Sequence, residues 1–148
     1  MANGSDSIVI YLDSSALLKL IHPEPETPAL REWLTGQQGV PAVSSVLARI
    51  EVTRACRHYS EAARVEAAGM LAGLDVIPLS DEVVAVAGDV GEPGLRSLDA
   101  IHLASALAIR AELSAVCVYD RRLFAAAESS SFTVAAPGAR LGRNPRSR

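Results

Sequence analysis

The stretch I-V-I-Y-L-D, residues 8–13, decides the fold class because five apolar residues end abruptly on an acid. A second stretch of the same kind, V-C-V-Y-D, spans residues 116–120. Short apolar runs rich in β-branched residues predict buried strands. Between them, similar runs alternate with helix-like segments, which predicts a parallel sheet covered by helices on both faces. We therefore expect one three-layer α/β/α domain with a central, mostly parallel sheet, occupying residues 1–139.

Turn and capping residues divide the chain into its elements. The apolar runs predict strands at Ile8–Leu12, Pro41–Val43, 75–79, Ala115–Tyr119 and 132–136. The longest helix is predicted from Leu98 to about Leu113, since its apolar residues recur at helical spacing without Gly or Pro. Ser44 and Ser45 are predicted to cap a helix that ends near His58.

Four acidic residues lie where these elements meet. Asp13 and Asp120 directly follow strands, and parallel α/β sheets bind ligands at the carboxyl ends of their strands. Glu51 and Asp99 lie in the helix-like segments V-L-A-R-I-E-V-T-R-A and S-L-D-A-I-H-L-A-S-A-L, which can reach the same edge. Converging carboxylates resist ionising together unless a cation lies between them. Because hard divalent ions prefer oxygen ligands, the four acids predict a site for Mg²⁺ or Mn²⁺.

We predict that the four acids together form a catalytic site, but each of them also has a purely structural interpretation. We predict Asp13, Asp99 and Asp120 as metal ligands and Glu51 as an outer ligand or as the residue that orients an attacking water. Alternatively, Asp13 and Asp120 are helix N-caps, and Asp99 stabilises a helix dipole. Glu51 would then pair with Arg54 on the helix surface. The metal site accounts better for all four, since burying unpaired carboxylates is costly.

Three further residues are candidates for substrate binding: Ser14, His102 and Arg121. Ser14 either caps a helix or holds a metal-bound water beside Asp13. His102 lies one helical turn after Asp99, where it either orients a carboxylate, contacts phosphate, or is a core histidine bonded to the backbone. Arg121 either binds a phosphate at the edge of the site or is an exposed helix start.

Charge is distributed unevenly along the chain. All 17 acidic residues and 10 of the 14 basic residues precede position 140, which gives that part a net charge of −7. This acidity argues against a simple nucleic-acid-binding protein, which normally has a basic surface, but it allows a nuclease whose acids are neutralised by metal. The last nine residues, R-L-G-R-N-P-R-S-R, are predicted to form a basic flexible tail, 140–148, that is either solvated or in contact with phosphates.

The sequence contains no signal for export or for the membrane. Its longest apolar runs are far shorter than the roughly 20 residues of a membrane-spanning helix. The start, M-A-N-G-S-D-S, lacks the basic region of a signal peptide. Cys56 and Cys117 are isolated thiols that suit a reducing compartment. We therefore expect a cytoplasmic protein that does not associate with membranes.

Four segments together resemble a known family: I-Y-L-D-S-S-A-L-L-K-L, S-S-V-L-A-R-I-E-V-T-R-A, L-R-S-L-D-A-I-H-L-A-S-A-L and V-Y-D-R-R-L-F-A-A-A. In this order they resemble the PIN-domain ribonucleases, and among these the VapC-type toxins of bacterial toxin–antitoxin pairs, over about residues 8–138. The four acidic positions of that family fall on Asp13, Glu51, Asp99 and Asp120. The G-E-P-G insertion at residues 91–94 and the arginine-rich end depart from the family pattern.

The resemblance implies a PIN-like fold and a metal-dependent endoribonuclease that cuts single-stranded RNA with Mg²⁺ or Mn²⁺ as cofactor. It also implies a homodimer and a cognate VapB-type antitoxin, for which the helical hairpin around residues 28–73 is the expected groove. An alternative is a non-catalytic partner that binds its antitoxin and helps it occupy promoter DNA.

Overall fold

The computed structural model describes residues 8–141, and within them five strands form one parallel sheet. The strands are β1 (Val9–Leu12), β2 (Ala42–Ser45), β3 (Asp75–Ile77), β4 (Leu113–Cys117) and β5 (Val134–Ala135). Their order across the sheet is β3-β2-β1-β4-β5, and every neighbouring pair is parallel. The prediction of a central parallel sheet is therefore confirmed, with β1 in its middle.

Seven helices connect and follow the strands in the described part of the chain. They are α1 (Ser14–Ile21), α2 (Thr27–Gly36), α3 (Leu47–Ala55), α4 (Glu61–Gly73), α5 (Asp81–Ala87), α6 (Ser97–Ala108) and α7 (Arg121–Ser129). A 3₁₀ turn follows α3 at Cys56–His58 and another follows α6 at Arg110–Glu112.

Side-chain alternation along β1 divides the core into two layers, because successive residues of a strand point to opposite faces of the sheet. Ile10 and Leu12 pack with the apolar faces of α1, α2, α3 and α4. Tyr11 packs on the other face with α6 and α7, and α5 packs against α6. Ile10, Tyr11 and Leu12 are all buried. The strand is therefore a continuous apolar run, as is typical of a parallel sheet covered on both faces. The three-layer architecture is confirmed.

Two predicted boundaries are wrong. The long helix ends at Ala108 and not near Leu113, because the chain must leave the helix to pair Leu113 with Val9 at the start of β4. Ser44 and Ser45 lie in β2, where they pair with Val76 and Ile77, and Ser45 Oγ also accepts from the Leu47 amide at the start of α3 at 3.1 Å. In both places strand pairing decides the boundary. The local sequence favours a longer helix in the first case and a helix cap in the second.

The loop between α1 and α2 is held by polar contacts to the end of α1. Lys19 Nζ forms ion pairs with Glu24 Oε2 at 2.6 Å and Glu26 Oε2 at 3.2 Å. Thr27 is the first residue of α2, and its hydroxyl donates to the Lys19 carbonyl at 2.7 Å and accepts from the Glu24 amide at 2.9 Å. These contacts fix the path of the chain from α1 into α2.

Gly138 anchors the last described segment against α2. Its φ of +81° is in the left-handed region, and a Cβ there would lie 3.0 Å from Ala29 Cβ and 3.2 Å from Glu26 Cα. We expect Gly138→Ala to lower the free energy of unfolding by about 1–2 kcal/mol, measured as a shift of the urea midpoint at constant m-value. As a control, Gly69→Ala in α4 adds a methyl group to open space and should stabilise by about 0.5–1 kcal/mol. Equal stability of Gly138→Ala and wild type would contradict this packing.

The predicted tail, residues 140–148, lies outside the described residues except for Arg140 and Leu141. Leu141 packs against the apolar cluster that contains Tyr11. Within residues 8–141, no helix is both long enough and apolar enough to cross a membrane.

Candidate active site

Asp13 and Asp120 lie at the same edge of the sheet. Asp13 directly follows β1, Asp120 follows β4 by three residues, and β1 and β4 are paired neighbours. Both side chains are helix N-caps, because Asp13 Oδ1 accepts from the Ala16 amide at 3.0 Å and Asp120 Oδ1 accepts from the Leu123 amide at 2.9 Å. Each of these bonds uses Oδ1 and leaves Oδ2 for a ligand. Capping and ligand binding are therefore compatible roles for both acids.

Asp13 is the most deeply buried of the four acids, with 4% of its surface exposed. Burial raises its pKa to about 6, although the hydrogen bonds from the Ser15 hydroxyl and the Ala16 amide favour the carboxylate. The Ser15 hydroxyl donates to Asp13 Oδ1 at 2.6 Å and accepts from the Tyr119 amide at 3.0 Å. Ser15 thus connects Asp13 to the segment that carries Asp120.

Glu51 extends from α3 into a polar network formed by residues of three other elements. Its Oε1 accepts from the Ser14 hydroxyl at 2.6 Å and lies 2.7 Å from His102 Nε2. The other ring nitrogen, His102 Nδ1, lies 2.6 Å from the Tyr11 hydroxyl. Burial raises the pKa of Glu51, but the contacts with His102 and Ser14 outweigh it and hold that pKa below its usual value. The alternative in which Glu51 pairs with Arg54 is wrong, since its partners are Ser14 and His102.

Asp99 lies in the first turn of α6 and faces an open pocket of about 430 Å³. Burial raises the pKa of Asp99, and the nearby charges of Asp120 and Glu51 raise it further. Asp99 and Asp120 line the same pocket, where their negative charges repel each other. The pocket is lined by Arg96, Asp99, Tyr119, Asp120, Arg121 and Arg122.

The chemistry of this cluster suits a hard divalent cation. The available donors are carboxylate oxygens, and the raised pKa of Asp13 and of Asp99 shows that their negative charge is poorly compensated by the protein. Within residues 8–141, however, no three histidine, cysteine or acidic side chains are already gathered at metal-binding distances. The four acids are thus neighbours that a cation would draw together, and the assignment of ligands stays a prediction.

The substrate-binding candidates differ in their access to this pocket. Arg121 lines it directly. His102 is only 3% exposed and both of its ring nitrogens already contact protein side chains, so it can act on a substrate only through Glu51. The alternative interpretation assumed a hydrogen bond from His102 to the backbone, but the hydrogen-bond partners of the ring are the side chains of Tyr11 and Glu51. Ser14 is buried and its hydroxyl donates to Glu51.

Tyr11 and Arg96 join the site without having been identified from the sequence. Tyr11 lies two residues before Asp13, so strand alternation places both on the same side of β1. The sequence feature that could have identified Tyr11 is a tyrosine in an otherwise aliphatic buried strand, because a buried hydroxyl needs a hydrogen-bond partner. Arg96 lies in the loop before α6, where the spacing of residues in the sequence does not indicate which way the side chain points.

Comparison with known proteins shows the family of the chain. The family model of the PIN domain matches residues 10–129. Ribonuclease VapC47 of Mycobacterium tuberculosis is 46% identical over 134 residues, covering 88% of this chain and 98% of that protein. Ribonuclease VapC46 of the same species is 44% identical, covering 86% and 97%. A solved toxin–antitoxin complex from Klebsiella pneumoniae shares the fold with a TM-score of 0.65 at 19% identity, covering 86% of this chain and 97% of its own. The family model matches most of the chain and these relatives are 44–46% identical to it, so the chain belongs to the PIN-domain family.

Proposed function

We propose that this protein is a metal-dependent endoribonuclease, the toxin of a toxin–antitoxin pair, which hydrolyses phosphodiester bonds in RNA. The observation that carries the proposal is the placement of Asp13, Glu51, Asp99 and Asp120 around one edge of a PIN-domain sheet. The names of its relatives, Ribonuclease VapC47 and Ribonuclease VapC46, support the reaction class.

We assign Asp13, Asp99 and Asp120 as the residues that would hold Mg²⁺ or Mn²⁺. When bound, such an ion lowers the pKa of its water and stabilises negative charge on the phosphate. Ser15 and the Ala16 amide hold Asp13 through Oδ1, so that Oδ2 has a fixed direction. Asp99 and Asp120 contribute from the first turn of α6 and the N-cap of α7.

Glu51 acts beside these ligands as the residue that orients the attacking water. Its Oε1 is occupied by Ser14 and His102, so Oε2 is the oxygen left for the water. The lowered pKa of Glu51 keeps it an acceptor at neutral pH. Arg121 in the pocket wall, with Arg96 and Arg122, binds the phosphates of the RNA chain.

The partners of the protein follow from the same proposal. A VapB-type antitoxin would fill the cleft and lie along the helical hairpin within residues 28–73. Ile50 on α3 and Val65 on α4 are exposed apolar side chains of that hairpin, at 60% and 65% of their surface, and suit an apolar partner segment. We also propose a homodimer that acts in the cytoplasm, which agrees with the two free, buried cysteines, Cys56 and Cys117.

A metal titration tests the site. We expect MgCl₂ or MnCl₂ to raise the melting temperature of the wild type, corresponding to about 2.7 kcal/mol at a hundredfold excess over Kd. Asp13→Asn/Asp99→Asn should give no such shift and no heat of binding by calorimetry. The same preparations are then assayed on a labelled single-stranded RNA, with and without EDTA.

The outcomes separate the proposal from its alternative. Metal-dependent stabilisation together with RNA cleavage by the wild type supports the enzyme. A metal-induced shift in melting temperature that is absent in the wild type, or equal in the wild type and the double variant, would overturn the metal site. Metal binding without cleavage of any RNA tested, combined with antitoxin-dependent binding of promoter DNA, would favour the non-catalytic partner.

A further inference from the structure

Four structural elements converge on one chain of polar contacts. The Tyr11 hydroxyl on β1 lies 2.6 Å from His102 Nδ1 on α6, and His102 Nε2 lies 2.7 Å from Glu51 Oε1 on α3. Ser14 on α1 donates to the same carboxylate oxygen at 2.6 Å. Tyr11 is fully buried and His102 almost so, which means that neither can reach RNA. Their polar groups are directed at Glu51 and at each other.

For a neutral His102, the direction of each hydrogen bond follows from the number of available protons. An ionised carboxylate only accepts, so both Ser14 and His102 Nε2 must donate to Glu51 Oε1. A neutral imidazole carries one proton, and if Nε2 holds it, Nδ1 must accept. The Tyr11 hydroxyl is then the donor to Nδ1.

We propose that Tyr11 is a positioning residue for Glu51: by donating to His102 Nδ1, it selects the Nε2–H form of the ring that fixes Glu51 Oε1. Oε2 is thereby held ready for the attacking water. The inference rests on the proposed function, since Tyr11 and His102 are assigned to hold Glu51, and Glu51 is proposed to orient the attacking water. Ring orientation set by the hydrogen bond of the distal nitrogen is a general property of histidines that support catalytic groups.

The ring geometry agrees with such a fixed orientation. The Tyr11 and His102 rings meet edge to face, with centroids 5.9 Å apart and planes at 82°. His102 is only 3% exposed, and Leu103 and Ala106 beside it on α6 are also buried. The side chain is therefore held by packing as well as by its two hydrogen-bonded nitrogens.

The test combines a spectroscopic and a kinetic measurement on the full chain. In metal-free protein labelled with ¹⁵N-histidine, we expect His102 of the wild type to be a single neutral Nε2–H tautomer with a slowly exchanging Nε2 proton. The signal is assigned among the three histidines with His102→Gln. In Tyr11→Phe we expect a displaced Nδ1 shift and faster exchange of that proton. With RNA and metal, kcat should fall about 10- to 100-fold while KM changes by less than about twofold.

Two control variants separate positioning from loss of stability. Thr27→Val also removes a buried hydroxyl that makes two hydrogen bonds, but in the α1–α2 loop. Tyr59→Phe makes the same chemical change in a tyrosine that stacks on His22. Both should keep the kcat of the wild type and its His102 spectrum, even where Thr27→Val lowers the melting temperature as much as Tyr11→Phe.

Several results would overturn the inference. They are an Nδ1–H or doubly protonated His102 in the wild type, an unchanged kcat in Tyr11→Phe, or an equal loss of kcat in Thr27→Val. Because the tautomer is read without metal or RNA, a wrong tautomer would reject the positioning role while leaving the ribonuclease function intact. Conversely, wild-type protein that cuts no RNA would reject the function even if the tautomer is as expected.

Discussion

Replacing Asp99 by Asn is expected to reduce RNA cleavage by at least about a hundredfold, since even the outer partners of metal ligands typically contribute 10- to 100-fold. Asp99 is close enough to Asp120 and Glu51 for their charges to raise its pKa, and an amide removes the charge that the cation requires. Because the residue lies in the first turn of α6, Asn changes the helix only slightly. The measurement is the rate of cleavage of a labelled single-stranded RNA at saturating Mg²⁺ or Mn²⁺.

The matched control for Asp99→Asn is Asp81→Asn. Asp81 also lies in the first turn of its helix, α5, and is exposed. It therefore has the same relation to a helix dipole but none to the acidic cluster. We expect its cleavage rate to equal that of the wild type. Substantial cleavage by Asp99→Asn, or an equal loss in both variants, would remove Asp99 from the proposed ligands.

The Asp13→Asn variant is expected to lose RNA cleavage and yet to unfold less readily than the wild type at neutral pH. The pKa of Asp13 is about 6 in the folded protein, against about 3.9 in an unfolded chain. Between these values the folded state binds more protons, so wild-type stability falls as the pH rises from about 4 to about 6 and stays low above it. Asn has no such dependence and can still accept the capping bond from Ala16 through its Oδ1.

Urea unfolding in EDTA at pH 4, 5, 6 and 7 measures this effect. The gain of Asp13→Asn over the wild type should grow across that range and reach about 2–3 kcal/mol at pH 7. Asp120→Asn is the control for removing a negative charge from a helix N-cap, and because Asp120 is exposed, we expect no comparable stabilisation. A constant difference between Asp13→Asn and the wild type from pH 4 to pH 7 would contradict the burial argument.

The fold was predictable because its main signals are local. The apolar runs and their terminal acids locate β1 and β4 within two residues of their observed positions. The placement of Ser44 and Ser45 outside the sheet and the predicted end of α6 were wrong for a common reason. Strand pairing with residues distant in sequence decided each boundary, and a pattern of neighbouring residues contains no information about such pairing.

The sequence by itself determined the parallel three-layer sheet and the positions of Asp13 and Asp120 at strand ends, because strand and helix periodicities are local properties of a chain. Only the tertiary structure decided the partners of the acids. Tyr11 and His102 are 91 positions apart and Ser14 and Glu51 are 37 apart. They meet because β1 lies between β2 and β4, and α1 after β1, α3 after β2 and α6 before β4 each bring a side chain to the same place as Tyr11. That order follows from packing the whole domain around one sheet, and no short stretch of sequence contains it.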